Sequence, residues 1–157
     1  MSITVRAAEA SDAAAIATLN DHVQAIHAEA LPWRYKPLGT VTPAIVEAML
    51  SHPAFFGVIA ETDGSPAGYL IGEIAQMTES PFRYAAQILQ VHHIVVHPDV
   101  LQRGIGTKLL DAAKAHGKAH GVTLMTLDVM AFNTKARAFF QRSGLETLSE
   151  RRIIKIE

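Results

Sequence analysis

The residues best able to do chemistry lie in one stretch, His92 to Lys108, HHIVVHPDVLQRGIGTK. It opens on two histidines, side chains that titrate near neutrality, and runs into an apolar β-branched strand pattern, Ile94-Val95-Val96. Pro98-Asp99 halts the strand, and Arg103-Gly104-Ile105-Gly106 leads into the helical pattern Thr107-Lys108-Leu109-Leu110. A strand therefore delivers a glycine turn to a helix start. There the backbone can approach a ligand closely, and the first unpaired N–H groups of the helix point outward beside a partial positive charge, which suits a phosphate. The same Gly-x-Gly is also compatible with a plain tight turn. Two phosphate motifs are excluded: a dinucleotide fingerprint needs glycine where Leu109 stands, and a P-loop needs Gly-Lys-Ser/Thr after four spacers.

The elements that must hold this stretch in place follow from patterning. Ile3 to Arg6 alternates like a short strand, and Ser11, with Asp12 behind it, is placed to cap a helix whose apolar stripe is Ile16, Leu19, Val23, Ile26 and Ala30. His22 and His27 lie off or beside that stripe. Leu31-Pro32 ends the helix, and Trp33 to Pro37 is a loop carrying the single tryptophan and Tyr35. Thr42-Pro43 starts a second helix to about Leu50. Phe55 to Thr62 and Ala67 to Met77 read as a hairpin around Asp63-Gly64-Ser65-Pro66. Gln87 to Val96 is the strand entering the glycine turn, with Gln90, His92, Ile94 and Val96 expected on one face and Val91, His93, Val95 and His97 on the other. A helix runs from Gly104 to near Gly121, and Val122 to Val129 alternates as a strand. Asn133 caps a short helix through Arg142, Gly144 sits at a left-handed C-terminal cap, and a last strand from about Leu145 to Ile156 closes the sheet.

Composition narrows the function classes. A chain of 157 residues, 49% hydrophobic, has the size and core of a single domain over residues 1–157. Its net charge of -1 gives no electrostatic case for nucleic acid or an anionic membrane. The absence of cysteine rules out disulfides, a thiolate nucleophile and Cys-ligated zinc. With no signal-peptide pattern and no long uncharged apolar run, the expected location is the cytoplasm. His116 and His120 have the spacing of a metal-binding helix pair but lack its glutamate and a third ligand, so no metal is expected and a solvated helix face is the better account.

The Val-x-Pro followed by Arg103-Gly104-Ile105-Gly106 resembles the acetyl-CoA pyrophosphate loop, Q/R-x-x-G-x-G/A, of the GCN5-related N-acetyltransferase (GNAT) superfamily, with Leu101 at the leading position and Gln102 and Arg103 after it. Downstream, Asn133 to Leu145 resembles the N-x-x-A-x-x-F-Y-x-x-x-G-F segment of that superfamily, with Phe140 where many members have tyrosine. The resemblance covers nearly the whole chain. It implies an α/β fold, a mixed and mostly antiparallel sheet flanked by helices. It also implies acetyl-CoA as co-substrate, with direct acetyl transfer to a primary amine of a small molecule or peptide and no protein nucleophile.

By the same resemblance, the coenzyme would be held by the main chain of Ile94, Val95 and Val96, by the loop Leu101, Gln102, Arg103, Gly104, Ile105, Gly106 and Thr107, and by Asn133, Phe139 and Phe140. His27, Trp33, Tyr35, Tyr84 and Gln90 would face the acceptor. His92 would take the proton of the amine, since Gln90 beside it cannot, while His93 is expected in the core or on a main-chain carbonyl. Phe140 supplies no proton for the departing thiolate. Two other functions remain open at this point: an acyl-CoA-binding module that senses without reacting, and acetylation of a protein terminus or lysine. A homodimer is common among such proteins.

Overall fold

In the computed structural model, which describes residues 1–157, the strands Ile3–Ala7 (β1), Phe55–Thr62 (β2), Ser65–Met77 (β3), Ala86–Val96 (β4) and Met125–Leu127 (β5) form one sheet in chain order. The first four pair antiparallel and β5 joins β4 in parallel. Helices Ala13–Ala30 (α1) and Pro43–Ser51 (α2) cover one face. Helix Ile105–Ala119 (α3) and helix Thr134–Arg142 (α4) cover the other. Strand alternation divides the core accordingly. Ile59, Tyr69, Ile71 and Val95 pack with Ile16, Leu19 and Val46 under α1 and α2, whereas Leu70, Leu89 and Val91 pack with Ile105, Leu109 and Leu110 under α3.

Local signals account for most boundaries. The Thr42 Oγ1 accepts from the Ile45 N–H at 3.4 Å, with Pro43 at the first helical position. Asp63 and Gly64 both take left-handed φ, 49° and 81°, as a two-residue hairpin turn of matching twist requires. Gly144, at φ 89°, closes α4: its N–H reaches the Gln141 carbonyl and the Leu145 N–H reaches that of Phe140, a Schellman pattern.

Four expectations are corrected. Ser11 does not cap α1, because Asp12 is claimed elsewhere: it receives the Arg6 guanidinium at 2.8 Å through both oxygens and the Glu9 N–H at 2.8 Å. These bonds, the Arg6 pair first, hold the Asp12 carboxyl below its ordinary pKa. They wind Ala10–Asp12 into a 3-10 turn and start α1 at Ala13. The strand over 122–129 shortens to Met125–Leu127. The strand over 145–156 does not form; nothing within the chain lies alongside it after the Schellman turn, and residues 146–157 are exposed and outside any helix or strand.

The fourth correction shapes the site. In the β3–β4 ladder Ile71 opposes His93 but Gly72 opposes Val91, so His92 is the extra residue of a bulge. The alternation reverses there. Leu89 and Val91 before the bulge, and Ile94 and Val96 after it, all face α3. His92 and His93 therefore share the α1–α2 side with Gln90, and His92 does not share a face with Ile94 and Val96. A bulge also bends its strand, and pairing with β5 stops at Val91 opposite Leu127.

Candidate active site

The turn between β4 and α3 is built by two left-handed residues. Gln102 has φ 61° and Gly104, the N-cap of α3, has φ 84°. Alternating backbone hands of this kind turn successive N–H groups toward one concavity. No main-chain N–H from Leu101 to Thr107 donates to a main-chain or side-chain acceptor; the first bond of α3 runs from the Lys108 N–H to the Gly104 carbonyl at 3.1 Å. Those donors, with the positive end of the helix dipole, form the cradle that an anion such as a diphosphate requires. Gly106 has another duty: a Cβ there would lie 2.8 Å from the Phe139 ring, so its bareness lets α4 pack on the start of α3.

The strand entering this turn has an open side. The His97 N–H donates to the Ala67 carbonyl at 2.7 Å, committing that residue to β3. Main-chain groups alternate in direction along an antiparallel strand, so Val95 is likewise turned to β3 while Ile94 and Val96 point their N–H and C=O away from it. On that side β5 has already ended. An extended amide-containing chain fits there as an added strand. The Val95 side chain is buried beneath α1. Beside the opening, Asn133 caps α4, its Oδ1 accepting from the Ala136 N–H at 3.2 Å and its Nδ2 left to donate. Phe139 and Phe140 stand 5.3 Å apart, Phe140 in the core.

His92 meets two neighbours on the bulge, Glu73 and Phe55. Its Nε2 lies 2.7 Å from Glu73 Oε2, its ring stacks on Phe55 at 5.3 Å, and Phe55 in turn meets the edge of His52 at 5.2 Å. An ionised carboxylate can only accept, so Nε2 carries the hydrogen and the lone pair of a neutral ring lies on Nδ1. Glu73, on β3 opposite Gln90, was not legible as a partner. Nothing short of the β3–β4 register brings it to His92, and the irregular connection at 78–85 hides that register.

The adjacent histidine is held differently. Asn20 Nδ2 donates to the Tyr69 hydroxyl at 2.9 Å, and that hydroxyl lies 3.3 Å from His93 Nδ1. The hydroxyl hydrogen has no acceptor among its partners other than the lone pair of a neutral ring, so it goes to Nδ1. This hydroxyl replaces the main-chain carbonyl considered for His93. Burial, and secondarily the charge on His92, lower the pKa of His93, while burial raises that of Tyr69.

A second aromatic group forms where α1 ends. His27 lies against Tyr35 at a tilt, ring centroids 4.7 Å apart, and meets Phe132 edge-on at 5.7 Å, joining α1, its following loop and the β5–α4 connection. Burial lowers the His27 pKa, leaving the ring neutral at pH 7. Phe132, just before Asn133, was not singled out by sequence, since its neighbours come from a distant segment. Trp33 is exposed, and Gln90 is half-buried between Glu73 and Thr126 in the sheet. Tyr84 is 91% exposed near the tip of the β3–β4 hairpin, roughly 25 Å along the chain from His92 at ~3.3 Å per residue, and the structure does not bring them together.

The sequence profile of the acetyltransferase (GNAT) family matches residues 20–145, which contain the glycine turn, the bulged strand and α4. The chain belongs to the acetyltransferase (GNAT) family. An N-acetyltransferase of Methanocaldococcus jannaschii without an assigned substrate is 30% identical over 62% of this chain, and the match spans only 40% of that longer protein. The N-acetyltransferase YhfO of Bacillus subtilis, also uncharacterised, is 28% identical over 92% of this chain and 90% of its own length. Among solved structures, a mutant form of a Bacillus halodurans protein superposes with a TM-score of 0.93 over 98% of this chain and 99% of that one, at 20% identity. That likeness extends the shared fold to the segments outside 20–145.

Proposed function

We propose that this GNAT-family chain is an N-acetyltransferase that takes the acetyl group of acetyl-CoA and transfers it directly to a primary amine of a small molecule or peptide. The single observation that carries the reading is the run of unbonded N–H groups from Leu101 to Thr107, set beside the open main chain of Ile94 and Val96. The run fits a diphosphate, and the open strand fits the amide-bearing arm that follows it in coenzyme A. When bound, the coenzyme supplies an acetyl thioester.

The acceptor sets the remaining demand. An alkylammonium with a pKa near 10 is only about one part in a thousand neutral at pH 7, so a base must remove its proton before attack. His92 fills that role through Nδ1. Glu73 holds the ring by Nε2, fixes the tautomer and stabilises the charge that arrives when Nδ1 takes the proton. Glu73 is thus a positioning residue. His27 and Tyr35, with Phe132, form an aromatic wall on the acceptor side, with neutral His27 able to share a hydrogen bond.

Calorimetry with coenzyme A, followed by a thiol-release screen over polyamines, arylalkylamines, amino acids, aminoglycosides and short peptides, tests the reading. Saturable coenzyme binding and amine-dependent thiol release are expected. Binding without release for any amine would leave a sensing module, and no binding by the folded protein would remove the proposal altogether.

A further inference from the structure

The β3–β4 pair runs past its neighbours. Pairing with β2 ends at Phe55 opposite Glu73, and pairing with β5 begins at Met125 opposite Leu89, so Ala75–Met77 and Ala86–Ile88 carry the sheet on as two strands alone. Directly opposed residues share a face. Glu73 lies opposite Gln90, Ala75 opposite Ile88 and Met77 opposite Ala86, all on the side where Glu73 meets His92. The helices of that side do not reach them. The cluster under α1 and α2 takes in Ile71 and Phe55, whereas Ala75, Met77, Ala86 and Ile88 belong to neither core cluster. On the reverse side Ile74 and Leu89 pack under α3, so the extension is held from behind and bare in front.

We infer that this bare strip is the floor for the tail of the acceptor, and that the acceptor is a monoamine on an alkyl or arylalkyl chain, in preference to a polyamine, an aminoglycoside or a peptide. The inference rests on the acetyl transfer proposed above and names the substrate class of the same site. Two observations carry it. The strip is continuous with the histidine: it begins at Glu73 and Gln90 beside His92 and runs to Met77, roughly 13 Å at ~3.3 Å per residue. Phe55, stacked on His92, and His52 beyond it add an aromatic flank at its head. The strip is also uncharged. Residues 74–78 and 84–91 contain no Asp, Glu, Lys or Arg, and the next carboxylate, Glu79, lies beyond its far end. Glu73 is already occupied by His92. A second ammonium on the acceptor would therefore rest on apolar surface without a counter-ion, which is costly, whereas each methylene laid there leaves water and gains.

Thiol-release rates for straight-chain alkylamines and phenylalkylamines of increasing length, each alkylamine beside the diamine of the same length, test the inference. kcat/KM should rise by up to about fourfold per added methylene, the equivalent of about 0.8 kcal/mol for each CH2 leaving water. The diamine should fall at least about tenfold below its monoamine. Ile88→Glu places a carboxylate on the strip and should reverse that order, raising the diamine above the monoamine. Met77→Glu, at a side chain 40% exposed, should do the same for the longer chains and keeps the test available if Ile88→Glu does not fold. The unfolding midpoint and the calorimetric affinity for coenzyme A show which variants are intact. Rates independent of chain length, a preference for diamines, polyamines, aminoglycosides or peptides, or a change in sedimentation on Ile88→Glu with amine preference unaltered overturns the inference and leaves acetyl transfer standing. Thiol release from no amine at all removes the transfer reading, and the tail site with it.

Discussion

His92 and His93 are chain neighbours on the same side of the sheet, and their surroundings are opposite. His92 is the bulge residue, its side chain 29% exposed, gripped at Nε2 by a carboxylate and open at Nδ1. His93 is back in register, sunk under α1, with Nδ1 occupied by a tyrosine hydroxyl that is itself anchored by a buried asparagine. One ring can acquire a proton and have its charge answered by Glu73. The other is kept neutral by burial. Identity and position in the chain therefore do not assign a histidine its chemistry. The bulge does, by leaving one ring partly exposed beside Glu73 and tucking the next into the core.

If that contrast is functional, each histidine fails in its own way. His92→Ala should lower kcat by roughly 100- to 10,000-fold, the range of general base catalysis, while calorimetric affinity for coenzyme A stays within about twofold. Full activity at pH 7 would reject His92 as the base. Glu73→Gln keeps the shape of the partner and removes its charge. A hydrogen bond to a charged group is worth roughly 1.5–3 kcal/mol, so kcat should fall by about 10- to 100-fold, with the acidic, ascending limb of the pH–rate profile displaced toward lower pH. A purely structural Glu73 would lower the unfolding midpoint and leave that limb unmoved.

How much of this was legible in the chain depended on whether the determining contacts were local. Phe55–Thr62 and Thr134–Arg142 with its Asn133 cap were readable because a strand run, a turn signal or a cap lies within a few residues of each boundary. The glycine turn was readable for the same reason: Gly104 needs its left-handed φ whatever surrounds it. The bulge was not, because it exists only in the register between β3 and β4, and strict alternation through His92 assigned the wrong face. Glu73, Phe55 and Phe132 were silent for the same reason. The C-terminal strand pattern failed in the reverse sense, as a good local signal with no neighbour in its own chain.

On the His93 side the effects are on folding. Tyr69→Phe leaves the Asn20 amide, 4% exposed, without its acceptor, and Asn20 Oδ1 already lacks a partner. Stability should fall by about 1–3 kcal/mol, read as a lower urea midpoint, with the kcat per folded molecule unchanged.

The smallest effect concerns protons. An unfolded histidine titrates near 6.5, and folded His93 titrates below that because burial disfavours its charged form. Above about pH 6.5 both states are neutral and its contribution to stability is fully present. As pH falls toward the folded pKa, the unfolded chain takes the proton first and that contribution is lost. One such group contributes a slope of at most about 1.4 kcal/mol per pH unit. His27 and His116, also lowered by burial, add slope of the same sign, so the wild-type slope alone does not isolate His93. His93→Gln does, because the amide oxygen can still accept from Tyr69 and nothing titrates. Urea midpoints at pH 7.5 and pH 5 should therefore converge in the variant relative to the wild type. Equal loss of stability in both proteins would mean that His93 carries a proton in the fold, and the contrast with His92 would collapse.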